Sequence, residues 1–392
     1  MTTTRRELLA GTLALATLAA CAEQQAPAGV KGTVYAETGA GLVAVDLASG
    51  RPARQYGAAV PDAGWRRLHQ VDGGRLRVLG LPGGKVERES TITGAHVKAV
   101  SRSGGLVAVG PPPGPRTGTL IQLAGPSGVR DLWLDGNVEP EAFSGDDKIM
   151  YVLEYLPPGE PERYRVRMLA LPDGRPEPLN TRDKKPIPAG KEEEMRGQGR
   201  QAVLDTGAGV LYTLYTHQPG HLHTRDLIAG ADSAPDVHAF VHVLQLDQRW
   251  AYCLDLPQPF GAGPPQGHTL ALSPGGGALF VYDAGSGTIA RADTTDLTVS
   301  RTAAGAEHTG EAAALVHRNR LYLAAGASVQ VADAATLAPL ATWPLPGPAR
   351  GLAVLNGQLL AGAGEQIVRL DLGGTVLGAV PLPGLLSVRH AA

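Results

Sequence analysis

Five histidines lie close together in the sequence: His217, His221, His223, His238 and His242. Imidazole nitrogens are common ligands of zinc and similar metals. His221 and His223 share one side of an extended segment, and His238 and His242 share one face of a strand. Their spacing matches no established metal motif, and neither HExxH nor CxxC occurs in the sequence. Two interpretations stay open: a divalent-metal site, or solvated histidines that contact a partner or respond to pH.

The segment after the histidines alternates like a strand. Alternation places Trp250 and Tyr252 on one face and Cys253 and Asp255 on the other. No base or cation adjacent to Cys253 is evident in the sequence, so we interpret this cysteine as a small buried apolar group. The two aromatic residues are expected to pack between neighbouring sheets.

Other chemical motifs are incomplete. The sequence has no Gly-rich phosphate loop, no GxSxG elbow and no identifiable pair of catalytic acids. Isolated Ser, His and Asp residues cannot be assembled into a triad without geometry. The charged run from Arg182 to Arg196 carries both signs and predicts a solvated, mobile loop. Catalytic residues therefore stay unassigned, and the divalent metal is the only cofactor considered.

A repeated pattern must position these residues. Each repeat contains an alternating apolar run, a tight turn and a second alternating run. Asp or Gly ends the first run, because Asx side chains bond the turn backbone and Gly adopts positive φ. The repeats begin at Gly41, Arg75, Thr119, Arg165, His242, Thr288, Ser328 and Gln366.

Most repeats are preceded by two more alternating strands. Four antiparallel strands at a period of roughly 35 to 45 residues predict a β-propeller blade. The sequence therefore predicts an all-β fold over residues 31–392, a single β-propeller of four-stranded blades. We count eight blades, or seven if the weakly patterned second repeat is absorbed by its neighbours. A stack of β-sandwiches is the structural alternative, although it would not normally keep one pattern through eight repeats.

The clearest repeat covers residues 270–297, LALSPGGGALFVYDAGSGTIARADTTDL. It resembles the blade of YVTN or YncE-type propellers, a bacterial family similar in appearance to lactonase-like and WD40-like propellers. The resemblance extends as a pattern over most of residues 30–390 and is strongest in this blade and the next two. It implies a propeller fold. The acidic metal ligands of lactonase-like enzymes have no matching positions here, and the tryptophan-docking pattern of quinone-dependent propellers is absent.

The two ends of the repeat region are expected to complete one blade. Residues 33–37, 42–46 and 52–56 read as the last three strands of a blade. Residues 385–390 are expected to supply its innermost strand. This pairing would close the ring and remove open sheet edges.

Long connections concentrate in blades three to six. They cover residues 110–118, 157–163, 181–199, 218–237 and 257–267. In a propeller, connections from the second to the third strand and from one blade to the next share one face, and all five are of these kinds. Long loops in compact domains are often functional, so this face is our predicted binding surface. The alternative is that insertions accumulate wherever nothing forbids them.

The first 20 residues predict a removable signal peptide, with Arg5 and Arg6 before a short apolar run. Leu18-Ala19-Ala20-Cys21 resembles the lipobox of bacterial lipoproteins. This resemblance implies acyl chains such as palmitate on Cys21, with residues 21–30 as a lipidated tether. The paired arginines are consistent with either the twin-arginine route or general secretion.

Composition narrows the function classes. The formal net charge of the chain is −2, which does not favour nucleic-acid binding. With Cys21 lipidated, Cys253 has no disulfide partner within the chain. We expect an exported monomer, anchored to the cell membrane and facing the periplasm or extracellular space. The favoured function is a binding or scaffold module for a protein, glycan or small ligand. The alternative is a lactonase-like or hydrolytic enzyme, with or without a metal, whose site lies at the central channel.

Overall fold

The computed structural model describes residues 31–197, 199–232 and 239–392. These residues are nearly all strand and turn, as the sequence predicts. The described helices are short, α1 (Thr224–Ala229) and a single-turn 3-10 helix (Pro265–Gly267). The strands assemble into four-stranded antiparallel arrays, which we call units 1 to 8 in chain order.

Units 1 to 4 occupy the first part of the described chain. Unit 1 contains β1 (Thr33–Thr38), β2 (Gly41–Asp46) and β3 (Arg51–Gly57), and its fourth strand comes from the C-terminal end. Unit 2 contains β4 (Ala59–Pro61), β5 (Arg67–Asp72), β6 (Arg75–Gly80) and β7 (Lys85–Thr91). Unit 3 contains β8 (His96–Val100), β9 (Val107–Gly110), β10 (Gly118–Gly125) and β11 (Gly128–Asp135). Unit 4 contains β12 (Asn137–Phe143), β13 (Ile149–Leu156), β14 (Arg163–Ala170) and β15 (Glu177–Pro178).

Units 5 to 8 follow in the same order. Unit 5 contains β16 (Gln201–Asp205), β17 (Val210–Thr216), β18 (Ala239–Gln245) and β19 (Trp250–Asp255). Unit 6 contains β20 (His268–Leu272), β21 (Ala278–Asp283), β22 (Thr288–Asp293) and β23 (Thr298–Ala304). Unit 7 contains β24 (Ala312–His317), β25 (Arg320–Ala325), β26 (Ser328–Asp333) and β27 (Pro339–Pro344). Unit 8 contains β28 (Ala349–Leu355), β29 (Gln358–Ala363), β30 (Gln366–Asp371) and β31 (Val376–Pro381), and the last strand of the chain is β32 (Leu385–Ala391).

The repeated aspartates end the third strand of several units as Asx turns. Asp46 Oδ1 accepts a hydrogen bond from Ala48 N at 2.6 Å, and Asp333 Oδ1 accepts one from Thr336 N at 2.7 Å. Such side-chain bonds replace backbone partners that the turn removes. The short polar turn therefore returns the chain directly into the fourth strand.

The C-terminal strand completes unit 1. β32 pairs antiparallel with β1, with Tyr35 opposite His390 and Ala36 opposite Val388. β32 also meets β28 of unit 8 in a parallel pair, Gly351 with Val388. Through this contact units 1 and 8 form one eight-stranded sheet, whereas each of the other units is a separate sheet.

The second repeat, whose pattern is weak in the sequence, forms a sheet of its own. Its first strand, β4, has only three residues, and its last strand, β7, is mostly exposed. A short first strand and a polar last strand give little apolar alternation. The sequence pattern of this repeat is therefore weak because its sheet has few alternating apolar positions.

Apolar side chains pack between each unit and the next in the described residues. Between units 7 and 8, for example, fully buried Tyr322 and Leu359 contact one cluster. A further cluster lies between unit 8 and unit 1, with Leu360 and Val34 fully buried. Full burial of a Leu or Val side chain contributes about 1.5 to 3 kcal/mol. Interfaces between sheets therefore supply the main stabilisation.

Candidate functional site

The five segments predicted to be long all connect strands of units 3 to 6. Residues 110–118 lead from β9 to β10, 157–163 from β13 to β14, 181–199 from β15 to β16, 218–237 from β17 to β18, and 257–267 from β19 to β20. We call the described parts of these segments the long-loop surface.

Hydrogen bonds join these segments, or residues directly beside them, to one another. They run from Arg116 N to Pro158 O at 3.2 Å, from Tyr164 N to Met195 O at 2.9 Å, from Arg196 N to Gln218 Oε1 at 3.2 Å, and from Arg200 Nε to Pro265 O at 2.8 Å. The long loops are therefore docked on each other.

The second half of the charged run, residues 191–195, is docked, which corrects the expectation of a solvated loop for that half, whereas residues 182–186 are exposed as expected. Arg167 binds both carboxylate oxygens of Glu192, through Nε at 2.9 Å and Nη2 at 2.6 Å. Arg165 Nη1 adds a third bond at 2.9 Å. Two parallel bonds from one guanidinium fix the carboxylate in place. Nearby Met195 is fully buried, so this stretch packs as part of unit 4.

The histidine-rich segment 218–232 folds over the same region. His223 precedes α1, and its backbone N donates to Asp226 Oδ2 at 3.1 Å. The ring of His221 stacks on Phe240 at 4.7 Å between centroids, and the ring of His223 meets Phe240 edge-on at 5.0 Å. Phe240 on β18 is fully buried. Both imidazoles therefore pack against the Phe240 ring inside the protein.

Both imidazoles face the carboxylate of Glu193 from the neighbouring loop. His221 Nε2 lies 3.6 Å from Glu193 Oε1, and His223 Nδ1 lies 3.9 Å from Glu193 Oε2. The side chains of His221 and His223 are only 4% and 2% exposed. Neither of these two ring nitrogens has a hydrogen-bond partner. The two buried imidazole nitrogens and the Glu193 carboxylate thus converge without forming hydrogen bonds to one another.

The other nitrogen of His223 is held by Asp255. Its Nε2 lies 2.7 Å from Asp255 Oδ1, close enough for a charge-assisted hydrogen bond. Arg225 binds the second oxygen of Asp255 and donates Nη1 to Cys253 O at 2.6 Å. Because a carboxylate accepts only, Nε2 carries the proton in this bond. The other ring nitrogen, Nδ1, is directed at Glu193.

Two side chains from neighbouring strands complete the group. His242 on β18 is directly opposite Cys253 on β19, so both point to one face of the sheet. Cys253 Sγ donates to Glu193 Oε1 at 2.9 Å. Single ligand atoms of Glu193, His242 and Cys253 lie within 4.8 Å of each other, as do those of Glu193, His221 and His223. We call these five residues the Glu193 cluster.

Burial and mutual charge set the protonation of the cluster. Burial raises the pKa of Glu193, but the three neighbouring imidazoles of His221, His242 and His223 outweigh it and hold this pKa well below its ordinary value. Burial lowers the pKa of His242 despite the nearby carboxylate. Burial and then the Glu193 carboxylate raise the pKa of the Cys253 thiol well above its usual range. The cluster therefore centres on an ionised carboxylate.

The predicted histidines separate into three groups. His221, His223 and His242 come together in the Glu193 cluster. His217 does not: it is exposed at a turn with φ of 57°, and its Nδ1 lies 2.9 Å from Thr216 Oγ1. This turn ends β17 and keeps the ring outside the cluster. His238 lies outside the described residues.

Sequence reasoning missed Glu193, and it misjudged the surroundings of Cys253. Cys253 is buried as expected, at 2% exposure, but its thiol contacts a carboxylate instead of apolar neighbours alone. Asp255, predicted to lie on the same face of β19 as Cys253, does face the cluster and contacts His223. No local pattern distinguishes Glu193 from Glu192 and Glu194, because only the docking of two loops selects it.

A cleft opens beside the cluster. Its volume is about 490 Å³, and Glu193, His223 and Cys253 contribute to its wall. Tyr252 forms another part of the wall, with the guanidiniums of Arg225 and Arg182 at 5.2 and 5.5 Å from its ring centre. The cluster is therefore buried yet reachable from the long-loop surface.

A larger cleft of about 690 Å³ lies elsewhere, at units 1 to 3. Small residues such as Gly39 and Ala58 line much of it, and its Glu37 is paired with Arg389 at 3.0 Å. The described metal-type donor groups do not lie in its wall. We therefore place the candidate site at the Glu193 cluster.

The predicted signal peptide and the predicted lipidation of Cys21 fall on residues 1–30, which lie outside the described residues. In residues 31–197, 199–232 and 239–392, no helix combines the length and apolar character needed to cross a bilayer.

No protein-family model and no curated protein matches this chain. Solved structures do share its fold. Apo AztD from Citrobacter koseri aligns over 93% of this chain and 98% of its own, with a TM-score of 0.55 and 11% identity. Dihydro-heme d1 dehydrogenase NirN aligns over 93% and 76%, with a TM-score of 0.55 and 12% identity. The computationally designed Ika8 protein aligns over 91% and 95%, with a TM-score of 0.52 and 14% identity. At these identities the likeness supports the β-propeller fold alone.

Proposed function

We propose that this chain is an exported, lipid-anchored β-propeller that binds its ligand through the long-loop surface of units 3 to 6. In this proposal Cys21 carries the lipid, residues 21–30 form the tether, and units 1 to 8 are the eight blades of a closed ring. The protein acts at a membrane surface as a binding or scaffold module.

The closed ring is supported by the packing at the two ends of the repeat region. β32 pairs with β1, and an apolar cluster that includes Leu360 and Val34 joins unit 8 to unit 1. The same kind of cluster joins each earlier pair of units. In such a ring β32 has a partner strand on each side, so it does not form an open sheet edge.

The binding role is carried by one observation: the docked long loops bury a group of polar side chains beside an accessible cleft. Burying polar groups without full hydrogen bonding costs free energy, and His221 Nε2 and His223 Nδ1 are both buried without a partner. A binding site explains why such groups are placed there. Packing alone would favour apolar side chains.

The anchor is tested by Cys21→Ser. The variant is expected to lose palmitate labelling and to leave the membrane fraction, because in this proposal the lipid on Cys21 holds the chain at the membrane. Unchanged membrane retention together with unchanged labelling would contradict the anchor.

The binding surface is tested by photo-crosslinking in intact cells. Benzophenone-phenylalanine replaces Ile228, which is 44% exposed on α1 beside the cleft. The matched control replaces Leu340, which is 55% exposed on β27 of unit 7. A discrete adduct is expected from position 228 and not from position 340. Adducts from position 340 alone, or from neither position, would refute a macromolecular ligand at this surface.

A further inference from the structure

We propose that Glu193, His221 and His223 bind a divalent transition-metal ion of the zinc type. This inference rests on the proposed function and deepens it by naming the ligand class of the long-loop surface. His242 and Cys253 form a second group with Glu193, and the ligand atoms of that group also lie within 4.8 Å of one another.

The distances between donor atoms suit a tetrahedral metal. Ligands that each sit about 2.0 Å from zinc are about 3.3 Å apart. His221 Nε2 and His223 Nδ1 lie 3.6 and 3.9 Å from the oxygens of Glu193. One ligand atom from each of the three residues lies within 4.8 Å of the other two, so side-chain adjustment without backbone rearrangement would gather them around one ion.

The two imidazole nitrogens are poised as ligands. Both are buried, both face a carboxylate, and neither has a hydrogen-bond partner. An imidazole nitrogen without a proton and a carboxylate oxygen both carry lone pairs, and they repel each other unless a cation or a proton lies between them. The geometry therefore requires positive charge at the centre of this group.

Asp255 provides the outer support that metal-bound histidines usually have. A histidine ligand commonly donates its second ring N–H to a carboxylate, which fixes the tautomer and the ring orientation. His223 Nε2 lies 2.7 Å from Asp255 Oδ1, leaving Nδ1 directed at Glu193. Arg225 in turn holds Asp255. This chain of contacts orients one ligand of the proposed metal.

The donor types select the metal class. Two imidazoles and one carboxylate are common ligands of zinc, and a nearby imidazole and thiol extend the set. Magnesium and calcium prefer all-oxygen sites. The cleft of about 490 Å³ reaches Glu193, His223 and Cys253, so an ion has a path from the surface.

The competing explanation is a metal-free cluster in which the rings carry extra protons and pair with Glu193. Zinc titration of the full-length chain, purified in detergent and stripped with a chelator, separates the two. We expect one Zn²⁺ per chain, measured by competition with a chromophoric chelator. No stoichiometric zinc binding would overturn the proposal.

Variants locate the ion. His223→Ala and Glu193→Gln are expected to weaken zinc binding about 100-fold or more, and Asp255→Asn about 10- to 100-fold. His217→Ala is the matched control, because His217 belongs to the same histidine-rich stretch but lies outside the cluster; its affinity should not change. Equal losses in His217→Ala, or unchanged affinity in the first two variants, would overturn the site.

A measurement on the unaltered chain covers the case in which a variant fails to fold. Co²⁺ added to the stripped protein is expected to give the intense visible absorption of a four-coordinate site. The weak spectrum of six-coordinate aqueous Co²⁺ would overturn the proposal. Crosslinking from position 228 is read independently, so loss of the metal inference alone leaves the binding surface standing.

Discussion

Units 5 and 8 share one four-stranded plan but differ in what their connections do. In unit 8, Asp371 closes the turn after β30 through bonds from Gly373 N and Thr375 N, and the neighbouring cluster is apolar. In unit 5, the connection from β17 to β18 is long and brings histidines against Glu193. The sheet is therefore a common frame, and chemistry enters where turns are replaced by docked loops.

This contrast separates two kinds of stability. Unit 8 depends on apolar area buried between sheets, as at Leu360. Units 4 and 5 additionally bury ionised groups, including Glu192 and Glu193, which persist only because guanidinium or imidazole groups face them. Substitutions in the two regions should consequently differ in how much they lower the free energy of unfolding, in how that change depends on pH, and in their effect on zinc binding.

The largest effect is expected from Leu360→Ala at the interface of units 8 and 1. Leu360 is fully buried, and truncation leaves a cavity, so the free energy of unfolding should fall by about 3 kcal/mol. Urea denaturation measures the change. Leu340→Ala, at a 55% exposed position, should shift it by less than about 0.5 kcal/mol. Similar losses in both variants would show that this interface is not specifically stabilising.

An intermediate effect is expected from Glu192→Gln in unit 4. The change removes the charge that Arg165 and Arg167 bind, and it should lower the free energy of unfolding by about 2 kcal/mol. Limited proteolysis should also cut the 181–197 stretch faster. The exposed Glu160 supplies the control, Glu160→Gln. Unaltered proteolysis would mean that the ion pairs do not dock this loop.

The smallest effect is a pH dependence from Glu141 on β12. Burial, and then the Glu139 carboxylate, raise the pKa of Glu141 to about 7 in the folded state, above its ordinary value of 4.5. Between these two values the unfolded chain releases the proton first, so stability falls as pH rises from about 4.5 to about 7. Glu141→Gln should remove this slope and make the protein more stable than the unaltered chain at pH 8, where the buried carboxylate would otherwise be ionised.

Urea denaturation across this pH range checks the Glu141 prediction. Glu139→Gln is the comparison variant, because Glu139 is paired with Lys98 at 2.5 Å and its loss should destabilise the protein. A slope that persists in Glu141→Gln would assign the pH dependence to another group.

Much of the fold is readable from local patterns. Alternation predicts the strands of units 6 to 8 closely, and Asp46, Asp293 and Asp333 accept turn bonds as predicted. In unit 5 the turn bonds go to Gln245 instead. The long connections also fall where the sequence places them. These features depend on a few adjacent residues, so tertiary packing does not need to be known.

The candidate site is only partly readable. Three of the five predicted histidines enter the Glu193 cluster, because a histidine-rich stretch concentrates suitable ligands. His217 is excluded by a turn at its own backbone. Glu193 is invisible to sequence reasoning because it belongs to a separate loop, and its neighbours Glu192 and Glu194 look equivalent until the loop docks.

The sequence by itself determined the repeated sheet, its turn chemistry, the expected lipidation of Cys21 and the region where loops are long. Only the tertiary structure decided which side chains meet: His223 with Asp255 and Glu193, and Cys253 opposite His242. The physical reason is the sequence distance over which each kind of interaction acts. Alternation and turns are set within a few residues, whereas the approach of two loops depends on how neighbouring sheets pack.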